Sequence, residues 1–326
     1  MPNNFLTLAD LRATLGPDGT PVRSYAELLT QENEILDDIP WTAGNQVTGD
    51  MHFKRTAMPT AQIRRINQGI DSSKGAKEAV VDTCVEIASR MTVDMRELEL
   101  APDPAAYLLS ESQPHIEVMN QDFLRAFFYG TDPESINGIS TRMNKLSHKQ
   151  VVDFGGTGNN LASIYIVKWD NNEVTGIYPK NTKAGLDVLT KVNELVADKD
   201  GKTFPAHVTI WSWWVGLKVR DDRYMSRLCN IDRTALLGDG DTAKEARQTL
   251  FRKLVEAQDK IYHVNSGRVV MYADPSLFSI LKIAALEKSN MALGYSDIQE
   301  DRRVLSFQGI PIKRNDAQNV AERKVN

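Results

Sequence analysis

Asp153–Trp169 reads DFGGTGNNLASIYIVKW. Three glycines in four residues, Gly155, Gly156 and Gly158, run straight into an apolar, aromatic stretch. A turn of this kind beside a strand either cradles a phosphate through its amides or simply redirects the chain. The phosphate loop needs GxxxxGK followed by Ser or Thr, its lysine reaching the phosphates and its hydroxyl holding magnesium. Here Asn159 and Asn160 follow Gly158, and no lysine comes before Lys168. The dinucleotide fingerprint GxGxxG fails as well, because Leu161 stands where its third glycine belongs. Both motifs follow a strand and open a helix, whereas these glycines precede a strand. They read as a structural turn. A nucleotide- or phosphate-binding enzyme using the Gly155–Gly158 loop remains the alternative.

Outside this stretch, no other catalytic or metal-binding constellation stands. In ADKDGK, placing Gly201 at the sixth position of a calcium loop puts Val196 first and His207 twelfth, where carboxylates are needed. The histidines at 52, 115, 148, 207 and 263 lack zinc-ligand spacing. No GxSxG elbow occurs. Asp221 and Asp222 of DDRY read as a solvated turn. Trp211, Trp213 and Trp214 could stack a sugar or a base, but Trp211 and Trp213 alternate with Val215, Leu217 and Val219 as core residues do. The expected cofactor and metal sets are therefore empty. Cys84 and Cys229 form no CxxC pair and read as buried free thiols in a reducing compartment.

Charge and periodicity organise the rest. The 326 residues carry a net charge of −4, which argues against coating nucleic acid through a basic face. No run approaches the roughly 20 apolar residues of a membrane helix, and MPNNFLTLADLRA lacks the pattern of a secretory signal. Residues 1–40 set two arginines against seven carboxylates and suggest an arm with one short helix, SYAELLTQENEIL, capped by Ser24 with Glu27 three residues on. Residues 41–70 invert the balance: Lys54, Arg55, Arg64 and Arg65 face Asp50 alone. Too poor in apolar residues for a core, this segment reads as a projecting hairpin whose return limb carries Ile63 and Ile66. VVDTCVEIASRM reads as a strand with Val81, Thr83, Val85, Ile87 and Met91 inward and Asp82, Glu86 and Arg90 opposite. A helix over 113–129, capped by Ser112, opened by Pro114 and closed by Gly130, puts Ile116, Met119, Phe123 and Phe127 on one stripe. DNN at 170–172 reads as a hairpin turn, and LDVLTKVNELVADKDGK as an amphipathic segment. Further on come helices over TAKEARQTLFRKLVEAQDK and PSLFSILKIAALEKS, a buried strand RVVMYAD, and a strand and turn in VLSFQGIPIKRND.

Four stretches, in order, resemble the major capsid proteins of short-tailed bacteriophages. They are ILDDIPWTAGNQVTGDMHFKRTAMPTAQIRRIN; NQDFLRAFFYGT with INGI; GGTGNNLASIYIVKWDNNEVTGIYPK with GLKVRDDRYMSRLCNID; and GIPIKRND. The resemblance implies an α+β chain with the Hong Kong ninety-seven-type capsid fold. Its parts would be an N-terminal arm (1–40), an extended E-loop (41–70), a peripheral domain with a long spine helix (71–150), a mainly axial domain (151–300) and a return to the peripheral domain (301–326). It implies a subunit that self-assembles, as hexamers and pentamers, into the icosahedral head shell of the virion, made in the host cytoplasm. The shell would enclose double-stranded DNA without sequence-specific binding. Because the chain begins almost at the arm, a separate scaffolding protein is expected, with a portal and a cementing protein as further partners and no membrane. Lys54, Arg55, Arg64 and Arg65 are the candidate intersubunit contacts, lying on acidic surface of a neighbour.

Overall fold

Leu161–Trp169 is buried at every position, and this settles where the chain must go. A strand with no wet face needs a layer on each side. Tyr165, Val167 and Trp169 point into one core and Ala162, Ile164 and Ile166 into another. The computed structural model describes residues 35–131, 133, 135–197, 201–238, 240–264, 266–286, 293–299, 302–318 and 321–326. The acidic segment 1–34, with nearly all of the helix expected over 24–36, lies outside them, as does the centre of ADKDGK.

Two sheets carry the fold. The first contains β1 (Trp41–Ala43), β2 (Gly49–Ala57), β3 (Ala76–Asp94), β6 (Val174–Tyr178), β7 (Leu186–Ala197) and β8 (Thr203–Val219). Its order is β1-β6-β8-β3-β2, and β7 pairs with β8 beside β6. The second, ordered β11-β12-β13-β10-β5-β9-β4, contains β4 (Val151–Asp153), β5 (Leu161–Trp169), β9 (Met225–Asp232), β10 (Arg268–Ala273), β11 (Leu293–Gln299), β12 (Arg302–Phe307) and β13 (Ile310–Arg314). Six helices accompany them among the described residues: α1 (Met95–Leu100), α2 (Pro104–Tyr129), α3 (Ile139–Arg142), α4 (Arg233–Leu236), α5 (Asp241–Asp259) and α6 (Pro275–Leu286).

The long helix α2 lies between the sheets. The stripe Ile116, Met119, Phe123 and Phe127 is at most 3% exposed, as its spacing predicts. Phe123 packs on Trp213 of the first sheet, ring centroids 4.6 Å apart, and Phe127 on Trp169 of the second at 6.0 Å. Phe128 reaches Tyr165 at 5.4 Å and Tyr272 at 5.8 Å. On the far face of the second sheet, Leu250, Leu254 and Ala257 of α5 and Leu277 and Leu281 of α6 close the other core.

Several expectations need correction. Helix α2 starts well before Ser112: Asp103 Oδ1 accepts the Ala105 and Ala106 N–H groups at 3.0 and 3.2 Å, and Pro104 takes the first turn. At 26 residues the helix is about 39 Å long. Pro114 sits inside it, and buried Ser112 donates to the Leu109 carbonyl at 2.7 Å rather than capping an end. LDVLTKVNELVA is the strand β7, bulged between Lys191 and Glu194. DNN does not join two strands of one sheet: beyond the Asp170–Val174 bridge, β5 and β6 part into different sheets. The hairpin's return limb is β3, which contains VVDTCVEIASRM, so Ile63 and Ile66 fall in the connection. Near its root the inward face of β3 swaps: Asp82 and Cys84 are buried, and Val81 is exposed. Sheet membership does not follow divisions at residues 150 and 300. Strands β6 to β8 join the hairpin's sheet, and β13 runs parallel to β10 in the other. Only the chain after β13 comes back to α2, where the Tyr129 hydroxyl donates to Glu322 Oε1 at 2.7 Å.

Phe123→Ala should destabilise the subunit by about 3–5 kcal/mol, the range for a large aromatic cavity; urea unfolding with an unchanged midpoint would refute the assigned packing. Burial, reinforced by the Asp50 and Asp82 carboxylates, pushes the Cys84 thiol up to about 12, and burial raises Cys229 to about 11. Neither should react with iodoacetamide at pH 8 before unfolding, since the thiolate is the nucleophile. Rapid native labelling of either would contradict the burial.

Candidate assembly interface

The glycine turn binds its own chain. Gly155 has φ +91°, a conformation that favours glycine, and its N–H donates to Asp153 Oδ1 at 2.9 Å. The Gly156 N–H donates to the Asn230 carbonyl at 3.0 Å. A Cβ on Gly156 would stand 2.4 Å from that carbonyl oxygen, and one on Gly158 would stand 2.6 Å from Asp232 Oδ2. The three glycines thus let the chain press against the end of β9. Two of their amides are spent, and the carboxylates of Asp153 and Asp232 would repel a phosphate. Trp211 and Trp213 are core residues. Among the described residues, no group of three His, Cys, Asp or Glu side chains could hold a metal. No helix there is long and apolar enough to cross a membrane.

The β2–β3 hairpin is the feature left for function. Its root is a buried charge cluster. Arg142 Nη2 pairs with Asp82 Oδ1 at 2.6 Å, and the Val219 N–H donates to Asp82 Oδ2 at 3.0 Å. Lys218 Nζ pairs with Asp50 Oδ1 at 3.0 Å. The His52 ring stands between the two carboxylates, Nδ1 3.8 Å from each and Nε2 3.0 Å from the Val219 carbonyl. Removing one partner from such a cluster leaves an uncompensated buried charge, a loss of about 3–5 kcal/mol. The root is therefore a rigid mount tying β2, β3, β8 and α3.

Beyond the root the character changes. After Ala57 and Ala76 the backbone ladder stops, and side chains continue it. Ser73 Oγ accepts the Thr60 N–H at 3.1 Å and donates to the Thr60 carbonyl at 2.9 Å, and Gln62 Nε2 donates to Asp71 Oδ2 at 3.0 Å. The tip so ordered is bare of packing. Ile63 is fully exposed, Ile66 is 92% exposed, and Met58 and Ile70 are more than half exposed.

The four basic residues singled out in the sequence do not form one group. Lys54 pairs with Asp222 of its own chain, and Arg55 Nη1 lies 3.4 Å from Met58 Sδ. Arg64 and Arg65 are exposed in the tip, beside the isoleucines, with no ion-pair partner among the described residues. Sequence reasoning missed the apolar tip; its signal was two isoleucines in a basic stretch with no apolar face to join.

Two further clusters hold the ends of the described chain. Asp38 accepts from Tyr272 Oη and Lys313 Nζ, each at 2.9 Å, and pairs with Arg268 Nη2 at 2.5 Å. Glu322 takes buried Arg227 Nη2 at 2.8 Å as well as Tyr129 and Ser163. Burial and the Glu322 charge raise the Tyr129 hydroxyl far above its ordinary range, so it stays a donor.

Residues 16–326 match the family of the major capsid protein GP7. Among solved structures, the chain is similar to that of bacteriophage Epsilon15: TM-score 0.65, 22% identity, covering 100% of this chain and 98% of the other. The capsid of bacteriophage JBD30 follows at TM-score 0.51 and 11% identity, covering 87% and 90%. These likenesses establish the α+β, Hong Kong ninety-seven-type capsid fold. No protein of curated function matches. With a projecting hairpin whose tip side chains are exposed, and a family match over nearly the whole length, the chain belongs to the major capsid protein GP7 family of tailed phages and builds the head shell.

Proposed function

We propose that one subunit grips the next through the hairpin tip, the isoleucines supplying the adhesion and the arginines the register. The exposure of Ile63, Ile66, Met58 and Ile70 on an ordered projection carries this reading. Fully burying such a side chain is worth about 1.5–3 kcal/mol, whereas an exposed ion pair is worth about 0–1 kcal/mol. Apolar burial therefore dominates affinity, and Arg64 and Arg65 steer docking onto acidic surface. Lys54 and Arg55 act within the chain near the end of the β2–β3 ladder, Lys54 on Asp222 and Arg55 beside Met58.

In this reading the first sheet with α2 is the peripheral part and the second sheet with α5 and α6 the axial part, meeting around local symmetry axes in hexamers and pentamers. The mild negative charge suits a wall that encloses DNA without binding its sequence. The same proposal takes assembly to occur in the host cytoplasm with a separate scaffolding protein, a portal and a cementing protein.

The double variant Ile63→Asp with Ile66→Asp should fold with an unchanged melting temperature yet form no shells in negative stain at concentrations where the natural chain does. Arg64→Glu with Arg65→Glu should lengthen the light-scattering lag while the final yield approaches normal. Shells from the isoleucine variant at normal rate and yield would overturn apolar gripping.

A further inference from the structure

Among the described residues, the longest open sheet edge belongs to β7, twelve residues that pair with β8 and with no other strand. An exposed edge of this length is a template on which another copy can continue the sheet. Its apolar residues add to the hazard: Val188, Leu189 and Leu195 are exposed, Leu195 at 69%. Three features interrupt the template. The Val188 N–H donates to Asp187 Oδ1 at 3.1 Å, so this donor is occupied within its own chain. Between Lys191 and Glu194 the strand bulges: Val192 and Asn193 together stand opposite His207, and Asn193 takes a left-handed φ of +60°, which asparagine tolerates better than most residues. Across the bulge Lys191 Nζ pairs with Glu194 Oε2 at 3.6 Å, and Arg90 Nη2 of β3 reaches Glu194 Oε1 at 3.9 Å.

The subunit's own fold does not call for the bulge. Lys191 faces Val208 before it and Glu194 faces Ala206 after it, so a strand shorter by one residue would meet β8 with every other pair unchanged. The bulge leaves one residue outside the ladder, and the partly exposed ion pairs beside it add little stability in return. We infer that Asn193 is a specificity-determining residue for assembly: its bulge keeps β7 from pairing with the β7 of a second copy. An antiparallel pairing of one strand with its own copy about a two-fold axis is self-complementary. It would seal two subunits along one extended sheet and withdraw them from shell growth. The guard is separate from the hairpin grip, which lies on β2 and β3.

Sedimentation velocity and negative stain test this on the full chain. Deleting Asn193 should leave the subunit folded, lower the dissociation constant for dimers at least tenfold, and cut the yield of closed shells at least tenfold. Adding Leu189→Lys and Leu195→Lys to the deletion sets like charges along the edge and should restore both quantities to their natural values. Asn193→Val disfavours the left-handed residue without shortening the strand and should act in the same direction as the deletion. Asn193→Gly should leave assembly unchanged. Normal shells and no new dimers from both the deletion and Asn193→Val would overturn the inference. So would a loss of shells that the two lysines do not repair, since the subunit would then be merely misshapen. A deletion variant that fails to fold would overturn it as well, because the bulge would then serve the subunit itself.

Discussion

The contact of Phe123 with Trp213 and of Phe127 with Trp169 couples everything else. Aromatic rings dominate core burial, and here one helix stripe supplies both halves of the joint. Without α2 between them, the face of the second sheet bearing Tyr165, Val167 and Trp169 would be wet, and so would the tryptophan face of β8. The continuous burial of β5 follows from that arrangement: α2 on one side and α5 and α6 on the other. The clusters at Asp38 and Glu322 then pin incoming and outgoing chain to the same sandwich.

This rigid body matters because it mounts a lever. The paired charges at Asp50, Asp82, Arg142 and Lys218 fix where the hairpin leaves the first sheet. Burying them stabilises little in net terms, since desolvation offsets attraction. Their effect is directional: any tilt of β2 against β8 would strip partners from buried carboxylates. A shell needs hairpins that arrive at the same place on each neighbour. A tip of apolar residues on a stiff mount meets that need better than a loose loop, which would lose conformational entropy on every docking.

Much of this architecture was legible in the residues, and the exceptions share a cause. The β5 run showed as a strand because an apolar, aromatic stretch follows the glycine turn, and the α2 stripe showed through its 3.6-residue period. The glycine turn was legible by failing two phosphate motifs. Local cues misled where compensation came from elsewhere. Pro114 reads as a helix start, yet here it is carried within a helix already begun at Asp103 and Pro104. β7 showed only as an amphipathic segment, because the strand that pairs with it, β8, does not mark itself in the residues of β7. Asp82 looks like an outward residue because Arg142 is 60 positions away, and Lys54 looks free because Asp222 is 168 away. The tip arginines stood out by charge. The isoleucines beside them, on which the proposed grip rests, did not, because two apolar residues in a polar segment carry no periodicity.

The most direct measurement is hydroxyl-radical footprinting of the free subunit and of the assembled shell. In the subunit, Met58, Ile63 and Ile66 are open to solvent and should be modified rapidly. If the tip is the grip, their modification rates should fall at least tenfold in the shell while the fold around α2 is unchanged. Equal rates for these three residues in subunit and shell would show that the hairpin tip stays in water, and the grip would have to lie elsewhere.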